Sequence, residues 1–283
     1  QIPVTALLPN QMNKKYDYIF LLTKQQENAS VVPALVSYLK SDGVLCTFQN
    51  GIPEYEIESI IGRDKTYGCA VGWGAELVHN GEARLTSDLC ALTFSLGQFG
   101  NTNTKKLEEI KHILEVMGPV KIEDNFLGAR WSKLLINCAF SGMSAVLGCT
   151  FGEAAVDKKA RKYIQLLIKE CIDTAKKEGV NLEKVQGKDI ARLFDYSNQL
   201  KKAVGFFIIP LAIKKHALLK ASMLQDLEHK KSTEVDSING LICKIGKKNG
   251  TPAPCNEAVT EIIHTIEKGN LKPSFSNLSY MPF

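Results

Sequence analysis

The chain has 283 residues, 45% of them hydrophobic and 23% charged, with a formal net charge of +5 at pH 7. That length suits two domains of about 100–200 residues each, and that balance excludes a disordered chain. The basic excess gathers no further than pairs such as Lys201-Lys202 and Lys230-Lys231, which excludes the concentrated basic face of a nucleic-acid binder.

Residues 1–15 are polar and turn-rich and read as loop with a short strand. Tyr16 to Thr23 is a nearly continuous apolar, β-rich run, as expected of a strand buried on both faces of a parallel sheet. Helical spacing follows from Glu27 to Lys40 and stops at Gly43; Val44 to Phe48 reads as a second buried strand, and Pro53 to Ile61 as a helix. Strand, helix, strand, helix at this spacing predicts right-handed βαβ crossovers. Short strand-like runs then cover Thr66–Val71, Leu77–His79, Ala83–Ser87 and Ala91–Leu96, with Asn80-Gly81 as a hairpin signal. They predict an antiparallel extension at the sheet edge. Thr104 to Met117 is amphipathic, and Val120 to Ile122 could add a last strand.

After about residue 123 the strand signals nearly vanish. Helices are expected over Asp157–Glu178, near Val185–Leu193, over Gln199–Lys220, Thr233–Lys248 and Glu257–Lys268, with an irregular tail from Leu271. The predicted architecture is an α/β Rossmann-like domain (1–123) followed by an all-α domain (124–283), divided near Asp124-Asn125. The eight cysteines form no C-x-x-C pair and mostly sit in apolar runs, as free thiols of a cytoplasmic protein do. No apolar run reaches the ~18 residues of a membrane span.

The second domain opens on WSKLLINCAFSGMSAVLG, Trp131 to Gly148. It is apolar almost throughout, yet Lys133, Asn137 and Ser141 recur every four residues, and Ser144 continues the series. At about 100° per residue these share one slowly turning helix face. A lysine in such a helix either snorkels to water along its own stem or lines a polar cleft; periodicity leaves both open.

Ligands of open parallel sheets bind beyond the carboxyl ends of the strands, where Lys24 and Asn50-Gly51 stand. Each also has a plainer reading, as the start of a solvated helix and as a turn. The glycine-rich phosphate fingerprint is absent: Gly72-Trp73-Gly74 lacks its third glycine and precedes a hairpin. The five histidines show no metal-ligand spacing, and no G-x-S-x-G elbow occurs. Between Ala221 and Gly240, Ser232 or Thr233 suits a helix N-cap, with Asp236 completing a weak capping box and Glu234 in the first turn. Ser222 has no such local explanation.

Taken in order, Lys24 after a buried strand, QNG at 49–51, WSKLLINCAFSGMSAVLG, and SMLQDLEHKKSTEVDSINGLICKIGKKNGTPAPCNE at 222–257 resemble the ketopantoate reductase (2-dehydropantoate 2-reductase) family over nearly the whole chain. The resemblance implies an N-terminal Rossmann domain, a helical C-terminal domain and a site in the cleft between them. It implies NADPH/NADP+ as cofactor and a small 2-oxo acid as substrate; the charge pattern and the short apolar runs point to no nucleic-acid or membrane partner, and a helical second domain can pair as a homodimer. By resemblance Lys133 is the acid that protonates the ketone oxygen, and Asn137, Ser141, Ser222 and Asn50 bind substrate. Lys24, Asn50, Gly74 and Glu234 line the cofactor path.

Two departures accompany the resemblance. Ser141 and Leu219 stand where the family usually and often, respectively, has asparagine, which allows a shorter or less polar substrate than ketopantoate. The chain also starts at Gln1 and lacks the family's opening glycine-rich strand–turn–helix and two further strands, roughly 70 residues in all; the expectation is that the parent protein carries them and that residues 1–283 alone bind NADPH poorly. Alternative readings are a reductase of another small 2-oxo acid and an inactive binding protein that keeps the fold.

Overall fold

The computed structural model describes residues 5–79, 81–100, 103–185 and 187–283. Contacts divide the chain into one unit of Gln1–Gln49 with Pro53–Phe126, and a second of Asn50–Ile52 with Leu127–Phe283.

The first unit runs β1 (Tyr16–Leu21), α1 (Asn28–Val36), β2 (Leu39–Thr47), α2 (Glu54–Ile61), β3 (Thr66–Val71), β4 (Ala75–His79), β5 (Glu82–Leu85), β6 (Phe94–Gly97), α3 (Thr104–Leu114) and β7 (Val120–Ile122). The main sheet has the order β1-β2-β3-β6-β7. β1, β2 and β3 are parallel, β6 runs antiparallel to β3, and β7 pairs parallel with β6. Alternation along β2 explains the layering. Val44 and Cys46 join Tyr67, Cys69, Phe94 and Leu96 against Leu107, Ile110 and Leu114 of α3. Leu45 lies with Leu21, Val32 of α1 and Ile57 of α2. Successive side chains point to opposite faces, so a continuous apolar run means helices on both sides.

Several elements differ from their sequence-based outlines. The helix expected to Lys40 ends at Val36, and β2 begins at Leu39. Partners Tyr16–Leu39 and Tyr18–Val44 show that residues 40–43 are looped out of the ladder, which the apolar Leu35, Tyr38 and Leu39 disguise as helical spacing. β1 is only half-buried, because it ends the sheet order. β4 and β5 form a separate two-stranded sheet instead of extending the main one. Of the hairpin signal, Asn80 lies outside the described residues, whereas Gly81 has φ 82°. Leu89–Ala91 is a 3-10 turn, so β6 starts later than expected.

The second unit is helical: α4 (Phe126–Ile136, whose first residue counts with the first unit), a π turn (Asn137–Ser141), α5 (Gly142–Leu147), α6 (Phe151–Val156), α7 (Lys158–Lys177), α8 (Ile190–Phe194), α9 (Gln199–Ala212), α10 (Ser222–Glu228), α11 (Asn239–Asn249) and α12 (Pro254–Glu267). α7 is the long support. Asp157 caps it by accepting from Ala160 N, and Tyr163, Ile164, Leu167, Ile168, Cys171 and Ala175 form its buried stripe. It packs on the π turn, while α5 packs on α6, α10 and α12. The helix expected near 185–193 is α8 alone; Val185 instead pairs with Lys188 in an isolated bridge. The tail holds a 3-10 turn at Phe275–Ser279, where Asn277 Nδ2 donates to Val146 O at 3.0 Å. Cys90 is exposed and Cys243 half-buried, unlike the other cysteines. Among the described residues no helix is long and apolar enough to cross a membrane.

Candidate functional site

The segment from Phe126 to Leu147 is buried on nearly every side, and its exceptions are informative. From Arg130 onward, only Lys133, Ile136 and Asn137 are less than fully buried before Gly148. With the half-buried Ala129 they recur at spacings of four, three and one, which is a single accessible stripe. Lys133 and Asn137 are thus the polar groups of the one face this helix does not bury. Ser141 continues that face but is 9% exposed.

The expected single α-helix is interrupted between Asn137 and Ser141 by a π turn, in which the Gly142 N–H reaches Asn137 O, five residues back. Four residues of α-helix overshoot a full turn by about 40°. A π turn spreads more residues over each revolution, so it offsets that drift and keeps Ser141 nearer the line through Lys133 and Asn137. Ser144, by contrast, points into the core. It is fully buried, donates to Cys149 O at 2.6 Å and accepts from Ala221 N at 3.3 Å. That contact anchors the residue just before Ser222, which opens α10 and is exposed.

Glu234 is 4% exposed. It does not sit in the first turn of an α-helix, as the capping pattern suggested, because α11 begins only at Asn239. Thr233 Oγ1 instead accepts from Val235 N at 3.3 Å, shaping a 3-10 turn over Val235–Ser237. Asn50 Nδ2 donates to Glu234 Oε2 at 3.2 Å, across 184 residues of chain. The sequence flagged both residues and gave no reason to pair them.

A clamp that sequence reasoning missed holds this turn. His264 of α12 bridges Asp236 Oδ1 and Glu267 Oε2, each at 2.9 Å, and Glu267 Oε1 accepts from Thr233 N at 2.7 Å. Burial of His264 disfavours its charge, yet hydrogen bonds to Glu267 and Asp236 together raise its pKa above 6.5. For Glu267, burial opposes ionisation, and the Thr233 N–H and the imidazole outweigh it, lowering its pKa below 4.5.

In the first unit, half-buried Lys24 follows β1 and begins a 3-10 turn at Gln25–Glu27. Beside it lies a knot centred on Gln49, which the sequence marked only as the first residue of QNG. Its Nε2 donates to Thr23 O (2.7 Å) and Asn28 Oδ1 (2.8 Å), while its Oε1 accepts from Asn28 Nδ2 (3.1 Å) and Thr47 Oγ1 (3.0 Å). The knot ties the end of β1 to the end of β2. Gly74 closes the β4–β5 hairpin. Its N–H donates to Ser87 Oγ at 2.9 Å, and a Cβ there would lie 2.7 Å from Thr86 Oγ1.

The family model for the C-terminal part of ketopantoate reductase PanE/ApbA matches residues 125–267, half of the chain, and the model for the N-terminal part matches residues 1–99. The chain belongs to the ketopantoate reductase family. Relatives agree with that membership. A 2-dehydropantoate 2-reductase of Lactococcus lactis subsp. lactis is 26% identical over 257 residues, covering 90% of this chain and 77% of its own. One of Archaeoglobus fulgidus is 24% identical over 259 residues, covering 89% and 77%. Among solved structures, D-mandelate dehydrogenase with NADH and anilino(oxo)acetate superposes with a TM-score of 0.79 at 22% identity, covering 94% of this chain and 81% of that one. The PanE/ApbA family ketopantoate reductase of Ralstonia eutropha gives 0.74 at 22% identity, covering 90% and 77%. These likenesses confirm the Rossmann-like fold followed by a helical domain. In the ketopantoate reductase family, then, the helix from Phe126 to Leu147 is the element whose polar stripe calls for a chemical account.

Proposed function

We propose that this chain reduces a small 2-oxo acid with NADPH, and that the physiological substrate is 2-dehydropantoate (ketopantoate), which becomes pantoate on the way to coenzyme A. The observation that carries the reading is the accessible stripe of Lys133 and Asn137 on an otherwise buried helix, in a member of this family. When bound, the dihydronicotinamide supplies hydride to the carbonyl carbon. Lys133 donates its proton to the ketone oxygen, and its ammonium interacts more strongly with the developing alkoxide than with the neutral ketone, which is the condition for lowering the barrier. Asn137 and Ser222 hold substrate oxygens, with Ser141 beyond them on the helix. Glu234, oriented by Asn50, accepts from a substrate or cofactor hydroxyl.

The cofactor finds suitable chemistry in the first unit. Lys24 supplies a cation at the carboxyl end of a parallel strand, and the Gln49 knot fixes the neighbouring backbone. We assign Lys24 and Asn50 to cofactor binding, with Gly74 serving through the hairpin it closes. NADPH in preference to NADH is part of the proposal. So is a homodimer, in line with the dimeric ketopantoate reductase of Staphylococcus aureus, whose structure superposes with a TM-score of 0.70 at 16% identity.

One observation favours a second reading, reduction of a different 2-oxo acid. Ser141 and Leu219 replace amides expected by family resemblance, which leaves a less polar pocket. A panel assay decides. The full-length protein is given NADPH or NADH with ketopantoate, 2-oxoisovalerate and phenylglyoxylate, and nucleotide oxidation is followed. Highest kcat/KM for ketopantoate with NADPH is expected. Turnover of the other acids alone selects the second reading, and no turnover of any would refute both.

A further inference from the structure

The π turn that carries Asn137 and Ser141 is held from outside by a chain of three side chains. Glu170 of α7 accepts from Cys255 N at 2.8 Å, Asn256 N at 3.0 Å and Asn256 Nδ2 at 2.7 Å. The first two donors belong to the opening turn of α12, where no intrahelical acceptor exists, so Glu170 serves as a helix cap lent by another helix. A cap alone would stop there. Asn256, fully buried, passes the interaction on: its Oδ1 accepts from Asn239 Nδ2 at 2.9 Å. The same Asn239 amide also donates to Cys138 O, inside the π turn, at 3.1 Å.

This relay has a direction. A carboxylate accepts only, so Asn256 must turn its NH2 toward Glu170 and its carbonyl toward Asn239. Asn239 must then present its NH2 to both Asn256 and Cys138 O. Its own Oδ1 is buried with no hydrogen-bond partner among the described residues. A buried acceptor left unmade costs stability, and a leucine would fill the same space without one. That leucine would leave Asn256 Oδ1 and Cys138 O without their donor, so it is the amide NH2 that this position uses. The fit is also close. Gly142 ends the π turn, and a Cβ there would lie 3.0 Å from Asn239 Oδ1 and 3.1 Å from its Nδ2.

We propose that Glu170, Asn256 and Asn239 are positioning residues whose relay holds Asn137–Ser141 as a π turn, so that Asn137 and Ser141 face the substrate in register with Lys133. Without the relay the segment tightens to α-helix, and the residues after it rotate by about one residue's worth, 100°, relative to Lys133. The proposal rests on the reductase reading for its kinetic consequence but not for its structural one.

The test is Asn239→Leu in the full-length protein, with Glu170→Gln as the milder variant if the first does not fold. A crystal structure of the variant is expected to show i→i+4 bonding through 137–141. KM for the 2-oxo acid is expected to rise about tenfold, the equivalent of one lost hydrogen bond, with KM for NADPH unchanged. A folded variant that keeps its π turn overturns the relay, as does a lower melting temperature with KM for the 2-oxo acid unaltered. Should the wild-type protein turn over no 2-oxo acid, the reductase reading fails, and the variant's crystal structure still decides whether the relay holds the turn.

Discussion

Glu234 illustrates what a single residue reveals only in three dimensions. In sequence it looks like a first-turn carboxylate, stabilised by a helix dipole. In the structure that helix starts five residues later, and the carboxylate is buried against the Asn50 amide. A buried carboxylate that loses a donor keeps its desolvation cost. Asn50→Ala is therefore expected to destabilise the protein by about 1–3 kcal/mol, read from the urea midpoint. An unchanged midpoint would mean that the amide is dispensable to Glu234. Lys133 was legible for the opposite reason. A lysine in an apolar helix stands out in any sequence, and it is less buried than Leu134 and Leu135, as both the snorkelling and the cleft readings require. Glu170, Asn239 and Asn256 were invisible, because asparagine and glutamate at helix-compatible positions look like ordinary surface residues until burial is known.

At the scale of elements, the buried run Val44–Phe48 and the amphipathic α3 were plain, because continuous or periodic apolar residues leave few alternatives. The loop-out in β2 and the π turn were not. Both keep an apolar pattern that helical spacing also satisfies, and the interruption depends on contacts from elsewhere in the chain. The 3-10 turn at Val235–Ser237 owes its place to the α12 clamp of His264 and Glu267, and that clamp has a pH signature. The raised His264 pKa contributes stability that is complete below its ordinary 6.5 and is lost as pH rises through the folded value. The depressed Glu267 pKa contributes stability that is complete above 4.5 and is lost as pH falls through its folded value. The stability difference between wild type and His264→Gln is thus expected to peak between 4.5 and 6.5 and to shrink on either side, in urea titrations across about pH 3 to 9. A difference that grows toward alkaline pH would contradict the clamp.

For the whole molecule, two units with separate cores account for most of what the sequence showed. Strand-and-helix alternation ends near residue 123, and helices fill the remainder. Two regions escaped that division. Asn50–Ile52 follow a strand of the first unit in sequence yet cluster with the second, and the β4–β5 hairpin stands apart from the main sheet. Family membership supplies the reaction class, and Lys133, on the helix from Phe126 to Leu147, is the group proposed to serve it. The decisive measurement is kcat of the full-length Lys133→Met variant with ketopantoate and NADPH, beside its melting temperature, since methionine keeps most of the apolar stem and removes the ammonium. Loss of at least ~10²-fold in kcat with the melting temperature retained is the expected result for removal of a positioned acid. A variant that turns over at close to the wild-type rate would contradict the role given to Lys133.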